Sequence, residues 1–155
     1  MPMGCKYGSH RVIEPKGALP QPAQKLDNDF STVYDNEILV DVIALNVDSA
    51  SFTQIEEEAG HDVEKIGAKI LEIVGERGKQ QNPVTGSGGM FIGKVAKIGS
   101  ALQGRDLKVG DKIASLVSLS LTPLKINKIL KIHPDIDRVE IEGQAILFES
   151  GIYAK

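Results

Sequence analysis

Residues 37–47 read EILVDVIALNV, with apolar side chains in both alternating registers: Ile38, Val40, Val42 and Ala44 against Leu39, Ile43 and Leu45, broken only by Asp41. A strand apolar on both faces belongs to the interior of a sheet or barrel, so 38–47 is predicted to be such a strand. The pattern changes period at 62–77, where Val63, Ile66, Ile70, Leu71 and Val74 recur at helical spacing. Asp62 stands at the N-cap position, and Gly75 and Gly78 offer stopping points. Residues 49–61 are shorter and more polar; Phe52 and Ile55 sit one turn apart, which suggests a short helix or turn. Short apolar runs at 91–98, 111–117, 126–132, 137–141 and 144–149, separated by turn residues, have the spacing of strands in a barrel or sandwich. The first thirty residues are proline-rich and lack a period, so 1–30 is expected to be an extended arm with a short strand at 11–14.

Composition narrows the class without naming a function. The chain has 155 residues, 41% hydrophobic and 25% charged, which suits one soluble domain with a core of its own. A net charge of −3 with no basic stretch argues against a nucleic-acid partner. No apolar run approaches membrane-spanning length, so no membrane partner is expected and the chain is read as cytoplasmic. A single cysteine, Cys5, excludes an intrachain disulfide and a cysteine-rich zinc cluster.

One stretch imitates a nucleotide site. GGMFIGKV at 88–95 matches most of the phosphate-loop pattern, with Gly88, Gly93 and Lys94 in register. The closing position, however, is Val95, which has no hydroxyl for a magnesium ion. The residues around and after it are strand-like, and a strand turns its amides sideways instead of toward an anion. The phosphate loop is rejected, and the glycines need another explanation.

Taken together, NPVTGSGGMFIGKVAKIGSALQGRDLKVGDKIASL has a different grammar. Pro83 and Gly86 enter a strand, GKVAKIG comes next at 93–99, and then DLKVGDKI at 106–113; upstream stands ILVDVIALNVDSASF at 38–52. In this order and spacing, over roughly residues 35–120, the chain resembles the catalytic domain of medium-chain dehydrogenases. The resemblance implies a mainly β fold with peripheral helices, the GroES-like β-barrel, spanning 1–155. It also makes Gly86, Gly88 and Gly89 the glycines of a turn that lets backbone approach the active site. A narrower resemblance, carried by GCKYGSHRVIEPKGALPQPAQKLDN at 4–28 and LNVDSASF at 45–52, is to the L-erythro-3,5-diaminohexanoate dehydrogenases of anaerobic lysine fermentation.

Two departures from the wider family matter. Its zinc-binding members carry Cys where this chain has Asp48, and Gly-His-Glu where it has Gly86-Ser87-Gly88. Asp, Ser and Gly are a poor ligand set, so no zinc is expected. The family also continues into a Rossmann domain with a G-x-G-x-x-G turn, and no such turn occurs here. The chain is therefore expected to need a Rossmann domain, in cis or in trans, to bind NAD or NADP. Alone it should be inactive; a further copy of the chain is left open as a partner.

The resemblance implies oxidative deamination of an amino acid carrying two ammonium groups and one carboxylate. Asp48, at the turn that faces the reacting centre in the family, is the first choice for binding or deprotonating the amine. Ser49 and Ser87 are further catalytic candidates and Ser51 a substrate contact; Tyr7, His10 and Arg11 come from the arm, with Arg11 suited to the carboxylate. Each has a structural alternative. Asp48 can simply cap the next helix, His10 and His61 can be surface or cap residues, and Glu56–Glu58 can be a solvated helix face. A stand-alone GroES-like binding module and a zinc-free quinone or enoyl reductase remain competing readings.

Overall fold

The computed structural model describes residues 3–155. Its centre is strand β3 (Glu37–Val47), which carries the doubly apolar pattern. The arm before it supplies β1 (Val12–Glu14) and β2 (Lys25–Leu26), a small antiparallel pair. Helices α1 (Ser49–Glu58) and α2 (Val63–Arg77) come next, then β4 (Gly89–Ile98), β5 (Lys112–Ser115), β6 (Leu124–His133), β7 (Arg138–Phe148) and β8 (Tyr153–Ala154). Six strands form one sheet in the order β6-β7-β3-β4-β5-β8, with every pairing antiparallel. This is the expected mainly β architecture with helices at its periphery. Among the described residues the sheet has two ends, β6 and β8, with no pairing between them.

One face of the first half of β3 is buried, with Ile38, Val40 and Val42 in the core, while Asp41 and Ile43 on the other face are exposed, so the strand is interior to the sheet but not covered on both sides as the sequence suggests. Its register shifts between Val42 and Ala44 against both neighbours, after which Ala44 and Leu45 are both buried. A bulge changes the parity of the pleat, so the inward positions pass from Ile38, Val40 and Val42 to Leu45 and Val47, all in one core. Into that core α1 sends Phe52 and Ile55, and α2 sends Ile66, Ile70 and Val74. The α2 stripe is narrower than predicted: Val63 and Leu71 are 45% and 43% exposed. Only the 66–70–74 row points straight at the sheet. Asp62 caps α2 by accepting from the amides of Glu64 and Lys65, and Gly78 ends it in the left-handed region (φ 69°). The helix runs through Gly75 without a break.

The two strands expected at 137–141 and 144–149 are one, β7. Glu142-Gly143 has the look of a turn, but Gly143 lies within the strand, where a β-carbon would collide with the Lys125 carbonyl of β6. Its lack of a side chain permits close strand approach. Gly88 and Gly89 have the same explanation. A β-carbon on Gly88 would press on the Ser120 amide and the Gln80 carbonyl, and one on Gly89 would strike the Asn46 carbonyl of β3. The supposed phosphate loop thus runs directly into β4, and no helix begins there.

The arm is less extended than the proline content suggests. It folds back on itself around Val12, Ala23 and Leu26 and is anchored through a buried ion pair. Arg11 is 1% exposed; its Nε and Nη2 each donate to Glu37 at 2.7 Å, and Nη2 also donates to the Thr32 carbonyl at 2.7 Å. Phe30 and Tyr34 flank the guanidinium with ring centroids at 5.4 and 5.3 Å. His10 and the Tyr34 amide complete the shell around the Glu37 carboxylate.

Burial alone would raise the Glu37 carboxyl, but hydrogen bonds from Arg11, His10 and the Tyr34 amide prevail and hold it down at about 2. Its ordinary value is 4.5, so its contribution to stability is complete above that pH and is lost as pH falls toward 2. Urea unfolding across this range should show a loss of roughly 3 kcal/mol from this group, absent in Glu37→Gln. At neutral pH Arg11→Met should cost about 3–5 kcal/mol by stranding the buried carboxylate, and Arg11→Met/Glu37→Leu should recover much of it. Equal stability of the single and double variants would contradict this account.

Candidate functional site

The candidate site lies at the C-terminal end of β3. Asn46 and Asp48 are two residues apart, so strand geometry puts them on one side as the chain leaves the sheet. Asp48 is the N-cap of α1: its Oδ1 accepts from the Ala50 amide at 3.0 Å. Among the described residues its other carboxylate oxygen has no hydrogen-bond partner. The Asp48 amide donates to the Gly88 carbonyl at 2.8 Å, which draws the glycine turn and the neighbouring Ser87 against the start of α1. Between β3, β4 and the end of β5 lies an open cleft lined by Asn46, Asp48, Gly89, Met90, Ser115 and Ser118.

Negative charge collects here. Asp137 sits in the turn before β7, in the left-handed region at φ 53°, and its carbonyl accepts from the Val47 amide at 2.9 Å. Burial, followed by the charges of Glu56 and Asp48, pushes its carboxyl above the ordinary carboxylate range. Glu56 also faces His61, at 3.5 Å from Nδ1. A cluster of carboxylates favours a cationic ligand.

On the far side, the cleft is built on a polar seam between the arm and the strand connections. The Ser118 and Ser120 hydroxyls are 2.7 Å apart, and Ser120 Oγ donates to Gln21 Oε1 at 2.7 Å. The backbone beside Gln21 is gripped by Lys79, whose Nζ donates to the carbonyls of Pro20 at 2.7 Å and Gln21 at 3.2 Å. Lys79 is completely buried within a run of four buried polar residues, Lys79 to Asn82. Asn82 Nδ2 reaches α1, donating to the Ser51 carbonyl at 3.3 Å and to Gln54 Oε1 at 2.7 Å.

The expected site residues separate into two groups. Asp48, Ser49 and Ser87 lie around one turn. Ser49 is exposed on the first turn of α1, and the Ser87 hydroxyl pairs with Thr85 at 2.8 Å. Ser51 is buried inside the helix packing and does not face the cleft lining. Tyr7 borders a neighbouring apolar cavity with Leu19 and Phe148; Val117 lines both spaces. Arg11 and His10 are a correction. They bind Glu37 at the opposite end of β3, and ten residue steps of strand amount to roughly 30 Å. Neither can share a small substrate with Asp48, and Arg11 is fully engaged inside the fold. Asp137, Asn46 and Ser118 were not anticipated. Asn46 alone had a local signal, its i, i+2 relation to Asp48.

Comparison with known proteins places the chain. Residues 10–155 match the family described as L-erythro-3,5-diaminohexanoate dehydrogenase N-terminal domain, and the chain belongs to that family. It is 77% identical over 153 residues to L-erythro-3,5-diaminohexanoate dehydrogenase of Acetoanaerobium sticklandii, covering 98% of this chain and 44% of that protein. It is 75% identical over 155 residues to the protein of the same name from Fusobacterium nucleatum, covering 99% of this chain and 45% of that one. The chain thus spans less than half the length of these relatives. Among the described residues, no helix is long and apolar enough to cross a membrane.

Lys79 generates a test of the seam. Burial, with the nearby Arg77 charge, pushes its ammonium from 10.5 down to about 8. The unfolded chain therefore binds more protons between these values, so this group makes stability rise with pH across that window; below it the buried charge carries its full cost. The unfolding free energy of the wild type minus that of Lys79→Met should increase by roughly 3 kcal/mol from pH 8 to 10.5. A difference independent of pH would show that Lys79 titrates normally.

Proposed function

We propose that this domain binds and orients the substrate in a dehydrogenase that oxidatively deaminates L-erythro-3,5-diaminohexanoate to 5-amino-3-oxohexanoate in lysine degradation. The supporting observation is the Asp48 carboxylate, held by its capping bond with one oxygen free toward an open cleft, beside Glu56 and Asp137. A substrate with two ammonium groups loses hydration on entering such a cleft, and an unpaired charge would cost several kcal/mol. Asp48 meets the reacting ammonium, while Asp137 and Glu56 attract the second. The names of the two relatives and the family agree with this chemistry.

The nitrogen first gives up a proton, for which Asp48 is the nearest candidate acceptor. A hydride then leaves the carbon, and water converts the iminium to ketone and ammonium. NAD or NADP supplies the hydride acceptor, held by a Rossmann domain in cis or in trans. The reading includes a GroES-like, medium-chain dehydrogenase architecture without zinc. At the positions of the zinc ligands stand Asp48, already used as a cap, Ser87, already paired with Thr85, and Gly88, which has no side chain.

The test is a chimera in which this chain replaces the matching part of the Acetoanaerobium sticklandii protein. Asp48→Asn should reduce turnover of diaminohexanoate by about 100-fold or more, in the range of lost acid–base catalysis. Its stability should change little, because Asn caps as well as Asp, whereas Asp48→Ala should also lose about 1 kcal/mol. Near-normal turnover by Asp48→Asn would remove Asp48 from the chemistry, and no turnover by the unmutated chimera would sink the dehydrogenase reading. Turnover should survive chelator treatment; one zinc per chain, lost together with activity, would overturn the zinc-free assignment.

A further inference from the structure

The cleft wall opposite Asp48 has a fixed hydrogen-bond polarity. Ser120 Oγ has one proton and donates it to Gln21 Oε1, so the 2.7 Å contact between Ser118 and Ser120 must use the Ser118 proton. Ser118 Oγ also accepts from the Ser120 amide at 3.1 Å. Its proton and one lone pair are thus occupied, and the other lone pair remains for the cleft it lines. Lys79 and Gln81 both donate to the backbone carbonyl of Gln21 and hold that residue of the arm beside Ser120, where its side-chain oxygen is the acceptor.

We infer that Ser118 is a specificity-determining residue that offers the cleft only an acceptor, with Ser120 and Gln21 as the positioning residues that set this polarity. The consequence is selection of carbon–nitrogen over carbon–oxygen oxidation, and it rests on the dehydrogenase reading above. An ammonium group and the iminium formed from it both carry N–H donors, so an acceptor wall serves the reacting nitrogen before and after hydride loss. An alcohol becomes a ketone whose oxygen has only lone pairs, and these would face the lone pair of Ser118. Asp48, until it takes the proton, and Ser118 throughout present acceptors to the nitrogen, and the ketone left after hydrolysis is the species Ser118 holds least well.

The experiment compares kcat/KM for diaminohexanoate with that for 5-amino-3-hydroxyhexanoate in the same chimera. The ratio of the two, measured on one preparation, is independent of the fraction that is folded. Ser118→Ala should lower it by ~10-fold or more, the usual worth of a hydrogen bond to a charged group. Gln21→Met, which frees the serine protons to turn toward the cleft, should lower it as well. Gln21→Glu, which keeps an acceptor for Ser120, should hold the ratio near the wild-type value. An unchanged ratio in Ser118→Ala with normal diamine turnover overturns this inference and leaves the dehydrogenase reading standing. A ratio that falls as far in Gln21→Glu as in Gln21→Met overturns it too, since Gln21 would then be donating to Ser120. Absence of diamine oxidation by the unmutated chimera removes the underlying reading instead.

Discussion

The buried carboxylate of Glu37 is the point at which the N-terminal arm and the sheet become one body. It opens β3, the strand paired on both sides by long neighbours, and receives Arg11, His10 and the Tyr34 amide from residues before it. A charge in that position is tolerable only because every approach to it is filled by a donor. The arm contributes little apolar surface of its own, a cluster around Val12, Ala23 and Leu26. It depends on this polar anchor for its place. The tautomer of His10 is set by the same geometry: Nδ1 accepts from the Cys5 amide at 2.8 Å, which leaves Nε2 to donate to Glu37.

From that anchor the arm continues to a second fastening, where Lys79 and Gln81 take hold of its carbonyls at Pro20 and Gln21. Two fastenings make the arm a brace against the sheet. They also account for two of the four buried polar side chains of that run: Lys79 and Gln81 satisfy arm carbonyls, whereas Asn82 binds α1 and the Gln80 amide has no hydrogen-bond partner among the described residues. On the proposed reading, the brace sets the direction of the hydrogen bonds at the cleft. Folding and substrate choice would then meet in Gln21.

The cleft itself is held in an unfavourable state. Asp137 adopts a left-handed backbone conformation and lies near the charges of Asp48 and Glu56, which raise its carboxyl along with burial. Asp tolerates that conformation better than most residues, but like charges so placed repel one another. A dicationic ligand would relieve that repulsion. This is the physical sense in which the site is made for its proposed substrate before the substrate arrives.

Local periodicity was enough for the elements that bury one clear face: the strand at 38–47, the helix at 62–77 with its Asp62 cap, and the rejection of the phosphate loop at Val95. Their physics is contained within a dozen neighbouring residues. Resemblance to dehydrogenases added Asp48 at the turn, and the capping alternative was equally readable; the structure shows the cap while leaving a carboxylate oxygen free for the proposed role. Three things were beyond reach of the chain read in order. Gly143 looked like a turn because close approach of a neighbouring strand leaves no local mark. Arg11 looked like a carboxylate binder, correctly in chemistry, but the carboxylate it binds is Glu37, 26 residues away. Asp137, Ser118 and Gln21 come near the cleft only through strand pairing and arm docking; the Gln21–Ser120 bond, for one, joins residues 99 apart. Spacing along a chain encodes which face a side chain takes, whereas the partner across that face is chosen by long-range packing, and the cleft consists almost entirely of such partners.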